Sequence, residues 1–320
     1  MAQATVIPAD VAGAAKPPAG KAWRFTRRNP TLVLGLLILA IMLLAAIFAP
    51  LISGDPYGMK PIQRFKPPSD AFWLGTDNLG RDVWARTVYG ARVSLTVGLC
   101  VAIASVSIGL LIGVLAGYFR WVDAIVMRLM DGLMAIPAIL LAIALVSLFR
   151  ASVLIVIVAI VIPEIPRVVR LVRSVVLTTR EQPYVEAAVA SGTRLPKILI
   201  RHILPSTFPP LIVQATYICA SAILIEAGLS FLGAGTPPEI PTWGNMIASS
   251  RVYLARAPWT VFCPGIALAL VVLSVNLVGD GCARPARPAH RASDVRPRCN
   301  LPAESCRSPD ALLQRGGRHA

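Results

Sequence analysis

The sequence predicts an all-α protein that crosses a membrane about six times. Three observations lead there: 56% of the 320 residues are hydrophobic, only 15% are charged, and the apolar residues gather into runs of bilayer length. Ordinary soluble domains carry more charge and less apolar surface. A formal charge of +15 would suit nucleic acid, but the Lys and Arg residues lie mainly between the apolar runs and form no basic patch interleaved with aromatics. They suit orientation in a membrane, and no nucleic-acid partner is expected.

In chain order, residues 1–30 read as a cytoplasmic tail carrying Lys16, Lys21, Arg24, Arg27 and Arg28. Residues 31–52 form the first helix, with a span at Leu32–Ile52. Its apolar run exceeds a signal-peptide core and no small-x-small cleavage site follows, so the helix is expected to be retained. Residues 53–90 form an extracytoplasmic loop in which Lys60, Arg64, Lys66, Arg81 and Arg86 are nearly balanced by Asp55, Asp70, Asp77 and Asp82. A core of residues 91–281 follows, with spans near Val93–Tyr118, Leu133–Leu148, Val153–Ile165, Leu211–Leu229 and Trp259–Val278. The fourth span is short and broken by Pro163 and Pro166, though a neighbouring helix can satisfy the carbonyls a proline frees.

Orientation follows from the loops. The segment 164–207 has seven basic residues against three acidic, and with the basic N-terminal tail it belongs in the cytoplasm. An even number of spans then returns the C-terminus to the cytoplasm. Gly109, Gly113 and Gly117 recur every four residues along one face of the second long helix, which lets helix backbones approach closely. The stripe serves packing within the chain or contact with another subunit.

The most informative stretch lies in the basic cytoplasmic loop. Glu186-Ala187-Ala188 is followed by Gly192, and the segment ends on Ile203-Leu204-Pro205. Tyr184 to Ala190 is rich in helix formers, Gly192 can take the left-handed geometry that ends a helix, and Leu195 to Leu204 starts a second short helix with Pro196 in its first turn. The result is a helix-turn-helix elbow outside the membrane. Here the sequence resembles the binding-protein-dependent permeases, whose cytoplasmic signature is Glu-Ala-Ala, a Gly four residues on, and an Ile-x-Leu-Pro-like ending. The resemblance implies that the elbow is the coupling helix that sits in a groove of an ATP-hydrolysing subunit. Small alanines allow close approach, Glu186 offers a carboxylate to the partner or to the elbow, and Gly192 sets the bend.

Two further stretches resemble the dipeptide, oligopeptide and nickel group of that family. The first is Gly75-Thr76-Asp77 with Gly80-Arg81-Asp82; the second is Glu226-Ala227-Gly228-Leu229-Ser230-Phe231-Leu232-Gly233, then Trp243-Gly244. The resemblance covers roughly residues 23–281. It implies a multi-pass subunit of a bacterial inner membrane that works with a second homologous permease, two ATPase subunits, an extracytoplasmic substrate-binding protein and membrane lipid. Peptides are the implied cargo, with nickel chelates, glutathione or other small solutes as alternatives.

Several residues admit two readings. Asp77, Arg81 and Asp82 form either an ion-paired turn capping the helix that enters the membrane or a contact for substrate or binding protein. Trp243 is either an interfacial anchor or a ligand platform. Glu226, an ionisable residue near the end of a span, is a functional candidate at an outer gate or subunit interface; as a proton carrier it would make the chain an ion-coupled secondary transporter. Asp131 and Glu164 lie near cytoplasmic ends, within reach of water or of Arg128 and Arg167.

No catalytic residue, cofactor or metal site is expected. The only Gly-Lys pair, Gly20-Lys21, lacks the earlier glycine of a phosphate-binding loop, and His202, His290 and His319 are scattered. His202 reads as a partner-facing elbow residue. The six cysteines form no framework. Residues 282–320 are an irregular basic tail. The family's Asn-x-x-Gly-Asp-Gly, present as Asn276 to Gly281, normally continues into a Leu-Arg-Asp-x-Leu-Asp-Pro-Arg-like stretch. Codon degeneracy lets residues 282–290, read one nucleotide later, encode Ala-Arg-Asp-Pro-Leu-Asp-Pro-Arg, which suggests a single-nucleotide frameshift at about Gly281. A natural disordered tail is the alternative.

Overall fold

The computed structural model describes residues 30–149 and 152–283. The tail of residues 1–29, with its basic cluster, and almost all of the 282–320 segment lie outside the described residues. Within them the fold is helical, and the β pairing consists of two isolated bridges, Ser69 with Phe72 and Thr76 with Asp82.

Helix α1 (Pro30–Ile47) is followed by the short α2 (Ala49–Ile52), whose first turn holds Pro50. The missing proline amide helps divide the expected Leu32–Ile52 span into two pieces. Helix α3 (Val83–Tyr118) begins ten residues before the expected Val93, capped by Asp82, whose side chain accepts from the Trp84 amide at 2.9 Å. Its first two turns carry Arg86, Thr87 and Tyr89, which hid them from a search for apolar runs. They are nevertheless largely buried beneath the loops.

Helices α4 (Arg120–Ala135) and α5 (Ala138–Leu148) meet at an 88° bend. Pro137 disfavours a helical Ile136, which is extended at φ −90° and ψ 127°. The expected span at Leu133–Leu148 is therefore broken, and α4 is an element the sequence reading did not anticipate. Helix α6 (Val153–Arg180) runs unbroken through Pro163 and Pro166, well past the expected Ile165. Helix α7 (Pro183–Ala190) leads to α8 (Leu195–Ile198), which passes through a π turn at Leu199–Ile203 into α9 (Leu204–Phe231). Then come α10 (Trp243–Ser250) and α11 (Trp259–Ala283).

Among the described residues, four helical stretches are long and apolar enough to cross a membrane: Pro30–Ile47, Val83–Tyr118, Leu195–Phe231 and Trp259–Cys282. The bent α4–α5 pair makes a fifth if it is one span. Of the six spans expected, the third is bent at Pro137, and the fourth does not pass on length and composition because Glu164, Arg167 and Arg170 interrupt its apolar run.

Small residues set the packing. Cβ atoms added at Gly109, Gly113 and Gly117 would stand 2.5, 2.7 and 2.7 Å from the Cβ atoms of Val168, Val172 and Val176 on α6. All three valines are fully buried. The stripe is thus spent within the chain, where two four-residue repeats interlock at close backbone approach. Gly98 does the same for α9, against Ile223, and Gly35 for α11, against Leu277. The core divides into one cluster around α3, α6 and α9 and a second joining α1, α3, α9, α10 and α11.

Candidate functional site

The elbow is present and its bend is where the sequence placed it. Gly192 has φ +73°, in the left-handed region, and nothing lies within 4 Å of an added Cβ. The amides of Gly192 and Thr193 donate to the carbonyls of Val189 and Ala188, closing the end of α7. Val185, Ile198 and Ile203 are buried and hold the elbow against the body. Glu186, Ala187, Val189, Ala190 and Gly192 are exposed, Ala188 half-exposed, and Tyr184, Leu195 and Ile200 add apolar surface beside them. Glu186 lies in the first turn of α7, where a negative charge complements the helix dipole.

Two details differ from expectation. The second arm does not stop at Leu204-Pro205 but continues to Phe231 as one 37-residue stretch, about 55 Å at 1.5 Å per residue. The π turn precedes Pro205, and the Leu204 amide donates five residues back to Leu199, so the helix absorbs the proline without ending. His202 does not face outward: it is half-buried and stacked on Tyr184 with ring centroids 6.4 Å apart. The segment 164–207, expected as a cytoplasmic loop, is consequently helical except for two short turns.

At the opposite end, residues 75–82 form a tight ion-paired turn. Arg81 Nε donates to Asp77 Oδ2 at 2.7 Å, with both side chains more than nine-tenths buried. Asp77 Oδ1 also accepts from the amides of Leu79 and Arg81, at 2.8 and 2.9 Å. Gly75 and Gly80 have φ +73° and +72°, and a Cβ on Gly75 would stand 2.6 Å from the Lys66 carbonyl. Thr76 Oγ1 accepts from the Lys66 amide and donates to the Gln63 carbonyl, tying the turn to the preceding loop. Burial pushes the Asp82 carboxyl above its ordinary value, partly offset by the Trp84 and Ala85 amides. This geometry is that of the helix-capping turn. With Asp77 and Arg81 turned inward onto each other, their charges are not presented at the surface.

Trp243 is fully buried and its indole N–H donates to the Thr87 carbonyl at 3.0 Å. It is a core residue locking α10 to α3, so the expectation of an interfacial anchor is corrected. Gly244 is needed for approach: its Cβ would meet Ala227 Cα at 2.7 Å and Ser230 Cβ at 2.8 Å on α9. Glu226 is likewise fully buried inside the chain, its Oε1 accepting from Ser230 Oγ at 2.9 Å. It therefore offers no carboxylate at the surface of this chain. Nearby, Asn245 Nδ2 donates into a ring of oxygens: Thr236 Oγ1 at 2.9 Å and the carbonyls of Thr236, Pro237 and Ile240 at 2.9 to 3.3 Å. The sequence shows Asn245 in the stretch around Trp243-Gly244 but assigns it no role, since a single polar residue carries no period.

Sequence reasoning missed the ion pairs joining α4 to α6. Arg170 pairs with Asp131 at 2.6 Å, where Arg128 was expected as a possible partner, and Arg173 pairs with Asp123 through Nε, which donates to Oδ1, and Nη2, which donates to Oδ2. Glu164, fully buried, pairs with Arg167 at 3.2 Å as anticipated.

A family model for the binding-protein-dependent transport system inner membrane component matches residues 109–285, more than half of the chain. The chain belongs to this family. A second model, the N-terminal membrane domain of oligopeptide transport permease C, matches residues 18–68. The permease is 61% identical over 258 residues to a probable peptide ABC transporter permease of Sinorhizobium fredii, covering 81% of this chain and 89% of that one. It is 41% identical over 266 residues to a dipeptide transport system permease of Alkalihalophilus pseudofirmus, covering 82% and 88%. A di/tripeptide transport system permease of Pseudomonas aeruginosa is 40% identical over 276 residues, covering 82% and 90%. Among solved structures, the methionine ABC transporter MetNI in an inward-facing conformation aligns with TM-score 0.50 at 22% identity, over 63% of this chain and 96% of that one. This last likeness shows the permease fold. The protein is a multi-pass inner-membrane permease subunit.

Proposed function

We propose that this permease forms the pathway of an ATP-driven importer of dipeptides or oligopeptides, and that α7 is the handle by which separate ATP-hydrolysing subunits move it. The observation that carries the reading is mechanical continuity: the exposed α7 turns at Gly192 directly into a helix that runs without a break to Phe231. Displacement of the elbow thus acts on the far end of α9, where Glu226 and Ser230 meet α10. A shift of a packed helix past its neighbours is an established form of switching.

ATP hydrolysis is assigned to two partner subunits, selection to an extracytoplasmic binding protein, and the other half of the pathway to a second homologous permease. The peptide cargo rests on the names of the relatives. In proteoliposomes holding the complete importer, Gly192→Val is expected to abolish peptide uptake while ATP hydrolysis and membrane insertion continue. Gly192→Asn, which tolerates a positive φ, should keep most uptake. Normal uptake by the valine variant would contradict the handle. Uptake that follows a proton gradient and persists without ATPase subunits would instead identify an ion-coupled transporter. Competition by nickel chelates or glutathione against a labelled dipeptide separates the cargo classes.

A further inference from the structure

Between α1, α3, α9 and α11 lies an apolar groove of about 500 Å³, lined among others by Leu39, Leu99, Ile103, Cys219 and Val278. It adjoins a second cavity of about 260 Å³, the two sharing Leu43, Leu95 and Leu99, and Arg92 lines this second cavity. One side-chain cation therefore stands at the end of an otherwise uncharged trough.

The position of Arg92 gives the trough a depth. Residues 83–91 of α3 are buried or half-buried under the loop layer, and Arg92 is the first exposed residue of the helix. The long apolar run begins at the next residue, Val93. Arg92 thus stands on an exposed face of α3 at the very start of its long apolar run, which puts it near the level of lipid phosphates on the side of the Gly75–Asp82 turn. Among the described residues it takes part in no ion pair. From Arg92 to Val106, which also lines the groove, α3 rises on the order of 21 Å. The hydrocarbon of one leaflet is roughly 15 Å thick, half of the whole.

We propose that this groove binds an anionic phospholipid, with one acyl chain along α3 and its phosphate paired to Arg92. A guanidinium presents a planar fork of donors that suits phosphate oxygens. A helix of another subunit would fit the trough less well. To avoid leaving Arg92 covered and unpaired it would have to bring a carboxylate to the edge of the hydrocarbon, which is costly. A phospholipid carries its charge at that depth already.

The test uses the full-length permease in nanodiscs containing phosphatidylglycerol or phosphatidylcholine with a photoactivatable acyl chain. Phosphatidylglycerol is expected to label the Leu95–Ile103 region several-fold more than phosphatidylcholine. Arg92→Gln should erase that preference, and because Arg92 is exposed and unpaired, the variant should retain the elution profile and melting behaviour of the parent. Ile103→Trp, at an exposed residue of the groove wall, fills the groove and should abolish labelling by both lipids. Equal labelling by the two lipids in the unsubstituted protein would overturn the proposal, as would a preference that survives Arg92→Gln. So would a photoreactive phenylalanine in place of Leu99 that cross-links to a second permease subunit in the assembled importer, since protein would then occupy the groove.

Discussion

At Gly192 the backbone angle, and not the space around it, limits what can stand there: φ is +73° and no atom lies within reach of an added Cβ. A β-branched residue there costs about 1–2 kcal/mol of local strain, enough to shift the bend without unfolding the bundle. Hydrogen exchange over residues 183–198 should quicken in Gly192→Val and stay near the parent in Gly192→Asn. The Asp77–Arg81 pair is a different kind of residue-scale commitment, because both charges are buried. Arg81→Met leaves the Asp77 carboxylate buried without its ion partner, and a loss of about 3–5 kcal/mol is expected, read as a lowered Tm of the purified protein. Asp77→Leu should cost more, because Asp77 also holds the amides of Leu79 and Arg81. An Asn245→Asp exchange sets an oxygen among the four that now surround an amide nitrogen. It should destabilise the 232–242 loop, detectable as faster proteolysis there.

Between elements, the seam of α3 and α6 dominates. Glycines 109, 113 and 117 accept Val168, Val172 and Val176 in one continuous row, so the two backbones can lie closer than larger residues would permit. Gly113→Val overpacks that row and should destabilise by about 1–3 kcal/mol. Val172→Ala in the same molecule returns much of the loss, and a thermal-denaturation cycle over the four proteins measures the coupling. The ion pair between α4 and α6 is a weaker tie. Arg173 and Asp123 keep 31% and 24% of their side-chain surface exposed, so Arg173→Gln should change stability by no more than about 1 kcal/mol. Helix α6 runs on through Pro163 and Pro166, both of them buried; at membrane depth a neighbouring helix can satisfy the carbonyls that a proline frees.

For the molecule as a whole, the elbow and the Gly75–Asp82 turn lie on opposite sides of the membrane in the proposed topology. In a cysteine-free background, cysteine at Ser191 should react with an impermeant maleimide only from the cytoplasmic face, and cysteine at Asp70 only from the outside. Labelling of both from one face would refute the orientation. The proposed reading-frame shift near Gly281 is a separate question, since α11 runs through that residue to Ala283. Independent sequencing across the Gly281 codon should reveal one nucleotide too many or too few; an unbroken frame would leave residues 282–320 a genuine tail.

Composition and apolar runs were enough to establish a helical membrane protein, and the Glu186–Pro205 signature was enough to place it in a transporter family. Local chemistry also located the Gly192 bend and the capped turn at Asp82, because a left-handed glycine and a helix cap depend on neighbours in the chain. Span boundaries were less legible. Residues 83–91 look too polar for a span yet are largely covered by distant loops, Pro137 breaks a run that hydropathy reads as continuous, and a π turn carries α9 past a proline that reads as a stop. The role of Trp243, the inward turn of Glu226 and His202, and the internal use of the glycine stripe were decided by the tertiary structure alone. Each depends on which residues far apart in the chain come into contact, and a helical period names a face without naming what covers it.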